Sequence, residues 1–289
     1  MGLQDDLAPR RAAVEDALSA ALAPYGGAVG DAMRYACEGG KKLRAILALE
    51  SASLFGVPRK QALRAGAAVE MVHAYSLVHD DLPCMDDDDL RRGRPTVHRA
   101  WDEAVAVLVG DALQTAAFEM LADPATHPDG AVRADLCLTL ARAAGAAGMV
   151  GGQAMDIAAE SAEGPLTLEQ VTALQRCKTG RLLEWPCRAG AVLGGGDPAP
   201  LLDYAAAAGL AFQIADDLLD VEGDAATMGK AVAKDAGRGK ATFVSLMGVD
   251  GARAEANRLA AAAETALLPY GIRGSMLARI ARYVVARDR

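Results

Sequence analysis

The chain has 289 residues, a length that accommodates one large domain or two of ordinary size. Hydrophobic residues make up 52% of it and aromatic residues only 4%, a combination that favours packed helices over β-sandwiches and barrels. A net charge of −8 argues against general nucleic-acid binding, and the six aspartates between positions 80 and 89 show that much of this charge is local.

Apolar residues recur at helical spacing along almost the whole chain, interrupted by short clusters of Gly and Pro. The predicted helices are 11–23, 31–38, 41–55, 60–82, 102–121, 131–147, 169–193, 199–220, 251–267 and 272–287. The run AVAVLVG at 104–110 could form a short strand, but the helical pattern on both sides favours a helix. Because neither a linker nor an internal repeat is visible, we predict one all-α domain over residues 1–289.

The cysteines bear on the compartment of the protein. There are five of them, without a CxxC pair or a zinc-type spacing, which indicates free thiols in a reducing compartment. The first residues lack the apolar core of a secretory signal, and no window reaches ~18 uninterrupted apolar residues. We therefore expect a cytoplasmic protein without a membrane span.

Two aspartate clusters are the strongest chemical signal in the sequence. Asp216 and Asp220 are separated by four positions in an apolar stretch, so a helix places them on one face, with Asp217 one step round. Carboxylates this close repel one another, and a bound cation would relieve the repulsion. Hard oxygen ligands of this kind suit Mg²⁺, which takes one or two carboxylates together with substrate phosphates.

The first cluster lies at the end of the predicted helix 60–82. Asp80 and Asp81 occupy its last turns, Pro83 disfavours continuation, and the chain beyond can fold back to bring Asp86 towards the same ion. One acidic run alone is more commonly a solvated loop or a helix cap. Two such runs, each preceded by an apolar helix, favour acidic helices that face a common cavity.

Basic residues lie near these acids at glycine-rich points of the chain. They are Lys41, Lys42, Arg44, Arg91, Arg92, Arg94, Lys178, Arg181, Lys230 and Lys240. Each basic run alone is typical of a solvated surface, but basic groups combined with carboxylates predict a diphosphate site, in which both hold the phosphate charge. His73 and His79 are six positions apart, which does not match a metal-binding pair. A lone histidine at the end of an apolar helix is more commonly structural.

In combination and in order, these motifs resemble the trans-isoprenyl diphosphate synthases (polyprenyl synthetase family), most closely the bacterial short-chain enzymes. The matching segments are GGKxxR at 39–44, HAYSLVHDDLP with DDx4D at 73–86, RRG at 91–93, GGQxxD at 151–156, KTG at 178–180 and FQxxDDxxD at 212–220. Family members commonly have Pro where this chain has Ala45, and we expect little functional cost from that difference.

The resemblance implies an all-α isoprenoid synthase fold of ten or more helices around a deep central cavity, and a homodimer. It implies that three Mg²⁺ ions bridge an allylic diphosphate to Asp80, Asp81, Asp86, Asp216, Asp217 and Asp220. The same diphosphate would contact Arg91, Lys178, Thr179, Gln213, Lys230 and Lys240. Isopentenyl diphosphate would be held by Lys41, Arg44, His73 and Arg92. The residues expected to be catalytic are Asp80, Asp81, Asp86, Arg91, Lys178, Asp216 and Lys230.

The implied reaction is Mg²⁺-dependent head-to-tail prenyl transfer from dimethylallyl and geranyl diphosphate to isopentenyl diphosphate. Tyr75, with Ser76 beside it, lies more than one helical turn before Asp80, where a ring would block a growing chain and favour the C15 product, farnesyl diphosphate. Alternatively, Tyr75 only packs in the core.

Other functions stay open at this stage. A geranyl or geranylgeranyl diphosphate synthase would share these motifs. A terpene cyclase needs one diphosphate, so the second basic set (Lys41, Arg44, Arg92) argues against it. A catalytically silent family member would be expected to lack motif Asp or Arg residues, and none is missing.

Overall fold

The computed structural model describes residues 2–161, 164–226 and 241–286, and these are almost entirely helical. The helices in the first half of the chain are α1 Leu3–Leu22, α2 Gly27–Cys37, α3 Leu43–Ser53, α4 Arg59–Asp80, α5 Val97–Ala100, α6 Glu103–Ala122 and α7 Gly130–Ala144. The later ones are α8 Met149–Glu160, α9 Leu168–Gln175, α10 Arg181–Leu193, α11 Ala199–Ala226, α12 Phe243–Ala266 and α13 Ser275–Ala286. A π-helical turn, Arg176–Gly180, joins α9 to α10, and a 3₁₀ segment, Leu268–Gly274, precedes α13.

The chain forms two compact units. The first unit contains Met1–Leu140 and Ala189–Gly196, and the second contains Ala141–Arg188 and Asp197–Arg289. The first unit also contains a short antiparallel hairpin of β1 Leu90–Arg91 and β2 Arg94–Pro95. That a single domain spans residues 1–289 stays a prediction.

Helix α4 is the central helix of the first unit. Consecutive residues such as Ala67, Ala68 and Val69 are buried, so α4 is buried on more than one side. It packs against α3 and α6. A helix that is apolar on all sides is stable only when it is surrounded by other elements. The packing of α4 therefore fixes the position of its carboxyl end, where the first aspartate cluster begins.

The second unit is built on the pair α11 and α12. Ile214 and Leu218, one turn apart on α11, are buried in a cluster with Phe243 and Leu259 of α12. With this face directed at the core, the intervening Asp216 and the following Asp220 lie on another side of α11, at ~100° per residue.

The all-α prediction is confirmed, and the helical interpretation of 104–110 is correct because α6 runs through it. Several details were wrong: the first predicted helix begins at Leu3, the helix predicted at 251–267 begins at Phe243, and the hairpin at 90–95 was not predicted. Helix α8 was not predicted, since Gly151 and Gly152 lower the helical propensity of its sequence. The predicted helix 169–193 is interrupted by the π-helical turn, which apolar periodicity does not reveal.

Among the described residues, α6 is the one helix whose length and apolar content would allow it to cross a membrane. About 44% of its apolar window is buried, and Glu103, Asp111 and Glu119 are exposed along it. A core helix of a globular unit passes the same test of length and composition, so one such helix is weak support for a membrane span.

Candidate active site

The chain folds back on itself directly after α4. The Asp81 N–H donates to the Leu77 carbonyl at 3.1 Å, continuing the helical pattern, and the Asp86 N–H then donates to the Asp80 carbonyl at 2.8 Å. This return of the backbone over six residues places the main chain of Asp86 beside that of Asp80. The tight turns follow from Pro83 and from Asp87, whose φ is +52°.

Asp81 is the buried acid of this cluster, and it forms an ion pair with Arg91. Its side chain is 4% exposed. Arg91 donates from Nε to both carboxylate oxygens, at 2.8 and 2.9 Å, and from Nη2 to Oδ1 at 2.6 Å. Burial raises the pKa of the Asp81 carboxyl and Arg91 opposes that shift. Burial alone would lower the pKa of Arg91, but its hydrogen bonds and attraction to Asp81 leave it raised.

The hairpin positions Arg91. Its two-residue turn consists of Arg92 and Gly93, with φ of +55° and +74°, a conformation that pairs the strands in register with Leu90 opposite Pro95. Two successive positive φ angles favour glycine at one position and leave Arg92 strained. The Arg92 side chain contacts Glu38 and Gly40 elsewhere in the first unit.

Side chains of α2 and of Glu38, the residue that follows it, hold the second strand of the hairpin. The Arg94 guanidinium lies 4.0 Å from the centre of the Tyr35 ring and pairs with Glu38 at 2.7 Å. The Tyr35 hydroxyl donates to the Pro95 carbonyl at 2.7 Å, and the same ring packs edge-on against Trp101 at 5.1 Å. These contacts fix the hairpin to α2.

The GGK segment at 39–41 is in contact with the turn of the hairpin. Arg92 donates to the Glu38 carbonyl at 3.0 Å, and its guanidinium covers Gly40, where an added Cβ would lie 2.8 Å from Arg92 Cζ. The φ of +78° at Gly40 is the conformation that favours glycine there, and the arginine side chain lies over it. The next lysines differ: Lys41 is exposed, whereas Lys42 is buried and donates to the Cys37 carbonyl.

A basic group gathers near the start of α3. Burial lowers the pKa of His73 well below its usual value, and the positive charges of Arg44, Arg92, Lys42 and Arg91 lower it further, so these cations are close enough to act on the imidazole. Burial also lowers the pKa of Arg44, whose Nε lacks a hydrogen-bond partner within the described residues. Buried guanidinium groups with free donors are suited to bind an anion.

Glu70 is the counter-charge of this basic group, and sequence reasoning missed it. It is 6% exposed on α4, and it attracts Arg44. Its carboxylate accepts a hydrogen bond from the Ala45 N–H at 3.1 Å. A proline at position 45 would have no N–H to donate, so the Ala45 departure from the family pattern adds one bond to a buried acid. The sequence signal that could have identified Glu70 is its position as the one charged residue in the apolar run AGAAVEMV.

In the second unit, the π-helical turn lies directly on α8. An added Cβ on Gly152 would be 2.2 Å from the Lys178 backbone nitrogen, so only glycine permits this approach. Such π-helical turns are rare and occur frequently at functional sites. The turn contains the segment RCKTG, and with it Lys178 and Thr179.

Lys178 is paired with an acid that had no predicted role of its own. Its Nζ donates to Asp156 Oδ2 at 2.6 Å, with the side chains 31% and 15% exposed, respectively. Asp156 is on α8, one turn after Gly152, and was noted only as part of the GGQxxD pattern. Gly180 and Gln213 line a cavity of about 320 Å³ in the same unit.

The acids of α11 have different surroundings. Asp216 and Asp217 are partly buried and Asp220 is exposed. Asp217 Oδ2 accepts a hydrogen bond of 2.7 Å from the Phe243 N–H, the first residue of α12. Asp217 thus accepts a hydrogen bond from one of the backbone N–H groups at the amino end of α12 that have no partner within that helix.

In the first unit, the structure brings some of the predicted residues together. Asp81 and Arg91 are in direct contact, and Arg44, His73 and Arg92 form one electrostatic group. Within the part of the chain that the structure describes, no three acidic, His or Cys side chains are grouped as a metal site. Lys230 and Lys240 lie outside the described residues.

Comparison with known proteins agrees with the motifs. The profile of the polyprenyl synthetase family matches residues 28–266. A farnesyl diphosphate synthase of Geobacillus stearothermophilus is 41% identical over 100% of this chain and 99% of its own length. One from Escherichia coli is 44% identical over 90% of this chain and 89% of its own.

Solved structures give the same result. An FPP/GFPP synthase from Zymomonas mobilis superposes with a TM-score of 0.89 at 44% identity, covering 98% of this chain and 99% of that one. The chain therefore belongs to the polyprenyl synthetase family.

Proposed function

We propose that this protein is a prenyltransferase that condenses isopentenyl diphosphate with dimethylallyl and then geranyl diphosphate to give farnesyl diphosphate. The observation that carries the proposal lies in the first unit, where Arg91 pairs with the buried Asp81 at the end of α4 and further cations, Arg44, Arg92 and Lys42, act on His73. Two anion-binding sets of this kind suit a reaction with two diphosphates. The relatives named as farnesyl diphosphate synthases support the same assignment.

The acidic residues have the chemistry that Mg²⁺ requires. Asp80 and Asp86, at the end of α4, and Asp216 and Asp220, on α11, offer hard carboxylate oxygens. One or two carboxylates per ion suffice when substrate phosphates complete the coordination. When bound, Mg²⁺ would neutralise the charge that develops on the leaving diphosphate.

The chain's own cations serve the same purpose. Ionisation of the allylic diphosphate transfers the C–O bonding electrons to the leaving group, and prearranged positive charges lower the barrier to that separation. Arg91 and Lys178 are the described candidates, since each is held against a carboxylate, Asp81 and Asp156 respectively. These acids orient the two cations before substrate arrives.

The basic group around His73 is the proposed site for isopentenyl diphosphate. Arg44 has an unused buried donor, and Arg92 is held at the hairpin turn above Gly40. With its pKa lowered, His73 is neutral at physiological pH and can donate or accept a hydrogen bond without adding charge. The alkene then attacks C1 of the allylic cation, and loss of a proton restores a double bond; the departing diphosphate would accept that proton.

Assembly and location complete the proposal. Val107 and Leu108 on α6 and Leu138 on α7 are exposed apolar residues of the first unit, which supports a homodimer. The free cysteines support a cytoplasmic location. A charged substitution, Leu108→Arg, is expected to convert the dimer to a monomer in sedimentation.

The test is product analysis of the purified chain with isopentenyl diphosphate, dimethylallyl diphosphate and Mg²⁺. Products are dephosphorylated and separated by chain length. We expect mainly farnesol from the wild type and from Asp250→Asn, an exposed carboxylate of α12 that serves as the matched control. Asp80→Asn and omission of Mg²⁺ should abolish condensation. Cyclised hydrocarbons from one diphosphate, or no product from a folded protein, would refute the assignment.

A further inference from the structure

His79 joins α4 to α6 at the acidic end of α4. Its Nε2 lies 3.1 Å from the Val107 carbonyl oxygen of α6. A carbonyl can only accept, so Nε2 carries the proton and donates it. The residue directly before Asp80 is thereby tied to a neighbouring helix by a side-chain hydrogen bond.

Gly110 makes room for the imidazole. An added Cβ on Gly110 would lie 1.9 Å from His79 Nε2, 2.4 Å from Cδ2 and 2.5 Å from Cε1. The ring therefore lies on the backbone of α6, where any larger residue would displace it. A glycine inside a helix costs ~1 kcal/mol relative to alanine. The close approach of the His79 ring explains why a glycine stands at this position of α6.

The same imidazole supports Tyr75. The two rings, one turn apart on α4, meet edge to face with centres 5.9 Å apart and an angle of 74° between planes. Tyr75 is 5% exposed, so its ring is buried. Burial raises the pKa of Tyr75, and an interaction of its hydroxyl with the Gln114 side chain of α6 lowers it in part. Edge-to-face packing against His79 therefore helps to set the orientation of the Tyr75 ring, together with Gln114.

We propose that Gly110 and His79 form a positioning contact that holds the Tyr75 ring in place and thereby limits product chain length. The inference rests on the proposed function. Because its Nε2 donates to the Val107 carbonyl, we assign His79 a positioning role that acts through Tyr75. Gly110 becomes a specificity-determining residue on a helix that contains none of the sequence motifs.

Two substitutions test the contact from opposite sides. Gly110→Ala inserts a methyl group where the imidazole lies and forces the ring away, and His79→Ala removes the ring. Both leave the Tyr75 ring without its edge-to-face neighbour, so both should allow a longer product. We expect the ratio of C20 to C15 product to rise about tenfold or more in each, a shift of ~1.4 kcal/mol in relative barrier. Gly26→Ala is the matched control, since nothing lies within 4 Å of its added Cβ.

The double variant separates steric displacement from general damage. Gly110→Ala alone should lower Tm by ~3–8 °C through overpacking. Adding His79→Ala removes the clashing ring, so the double variant should recover part of that Tm while still making the longer product. Should Gly110→Ala fail to fold, His79→Ala alone decides the question.

The outcomes distinguish the two proposals. A folded wild type that performs no condensation refutes the proposed function. In the other case, the wild type makes C15 and the variants have a lower Tm but the wild-type ratio of C20 to C15. This result overturns the chain-length role and leaves His79 as a packing residue alone.

Discussion

Both units contain a cation that faces a carboxylate, and the two pairs differ in strength. In the first unit, Arg91 donates three hydrogen bonds to Asp81, which is 4% exposed. In the second, Lys178 makes one 2.6 Å contact with Asp156, which is 15% exposed. The planar guanidinium is fixed in two directions by a buried acid, whereas the flexible ammonium can turn about its single contact. The first pair is thus held more rigidly than the second, whose ammonium group keeps more freedom to change its orientation.

The largest effect is expected from Arg91→Ala, which leaves Asp81 buried without its partner. Breaking a half-buried ion pair of this kind should cost about 2–3 kcal/mol of unfolding free energy, and kcat/KM should fall about 10³-fold. Urea denaturation and steady-state kinetics measure the two effects. Arg99→Ala is the matched control, because its pair with Asp89 at 2.9 Å is more than half exposed on both sides and should contribute less than about 1 kcal/mol. Equal losses in the two variants would contradict the comparison.

Lys178→Ala should lower activity with little loss of stability. We expect kcat to fall about 10²-fold because one positive charge is missing when the diphosphate leaves. The unfolding free energy should change by less than about 1 kcal/mol, since the lysine is 31% exposed. Asp156→Asn keeps an acceptor without the charge and should lower kcat about tenfold. A loss of stability as large as that of Arg91→Ala would show that both pairs are structural.

Gly152→Ala tests how the π-helical turn is placed. The added methyl group would meet the Lys178 backbone at 2.2 Å, so the turn must shift at a cost of about 1–3 kcal/mol. We expect a higher KM for the allylic diphosphate together with a lower urea midpoint. Gly209→Ala on α11 is the control, because its nearest neighbour would be a Leu183 methyl group at 3.5 Å. That variant should be neutral or slightly stabilised; matching losses would refute the steric argument.

The smallest effect is a dependence of stability on pH that arises from His73. Its pKa in the folded state lies well below 6.5, so between these two values the unfolded chain binds a proton that the folded chain does not. Stability therefore falls as pH decreases below about 6.5, by at most ~1.4 kcal/mol per pH unit for one group. His73→Gln should flatten this slope between pH 6.5 and 5 in urea titrations. An unchanged slope would show that His73 is not the titrating group.

The sequence already contained most of the fold and the identity of the family. Apolar periodicity predicts α4, α6 and α11, because a buried helical face constrains every third or fourth residue. Local propensity failed at α8, where Gly152 is selected for contact with the π-helical turn and not for helix formation. The aspartate clusters were visible because charges inside apolar runs are rare.

The sequence by itself determined the helical architecture, the acidic and basic motifs and the choice of chemistry, since these depend on local pattern and residue type. Only the tertiary structure decided which charges pair: Asp81 with Arg91, Lys178 with Asp156, and Glu70 with the Ala45 N–H and the charge of Arg44. It also decided that His79 lies against Gly110, 31 positions further along the chain. The physical reason is that burial and close approach depend on how helices pack, and partners distant in sequence leave no periodic signal within either segment.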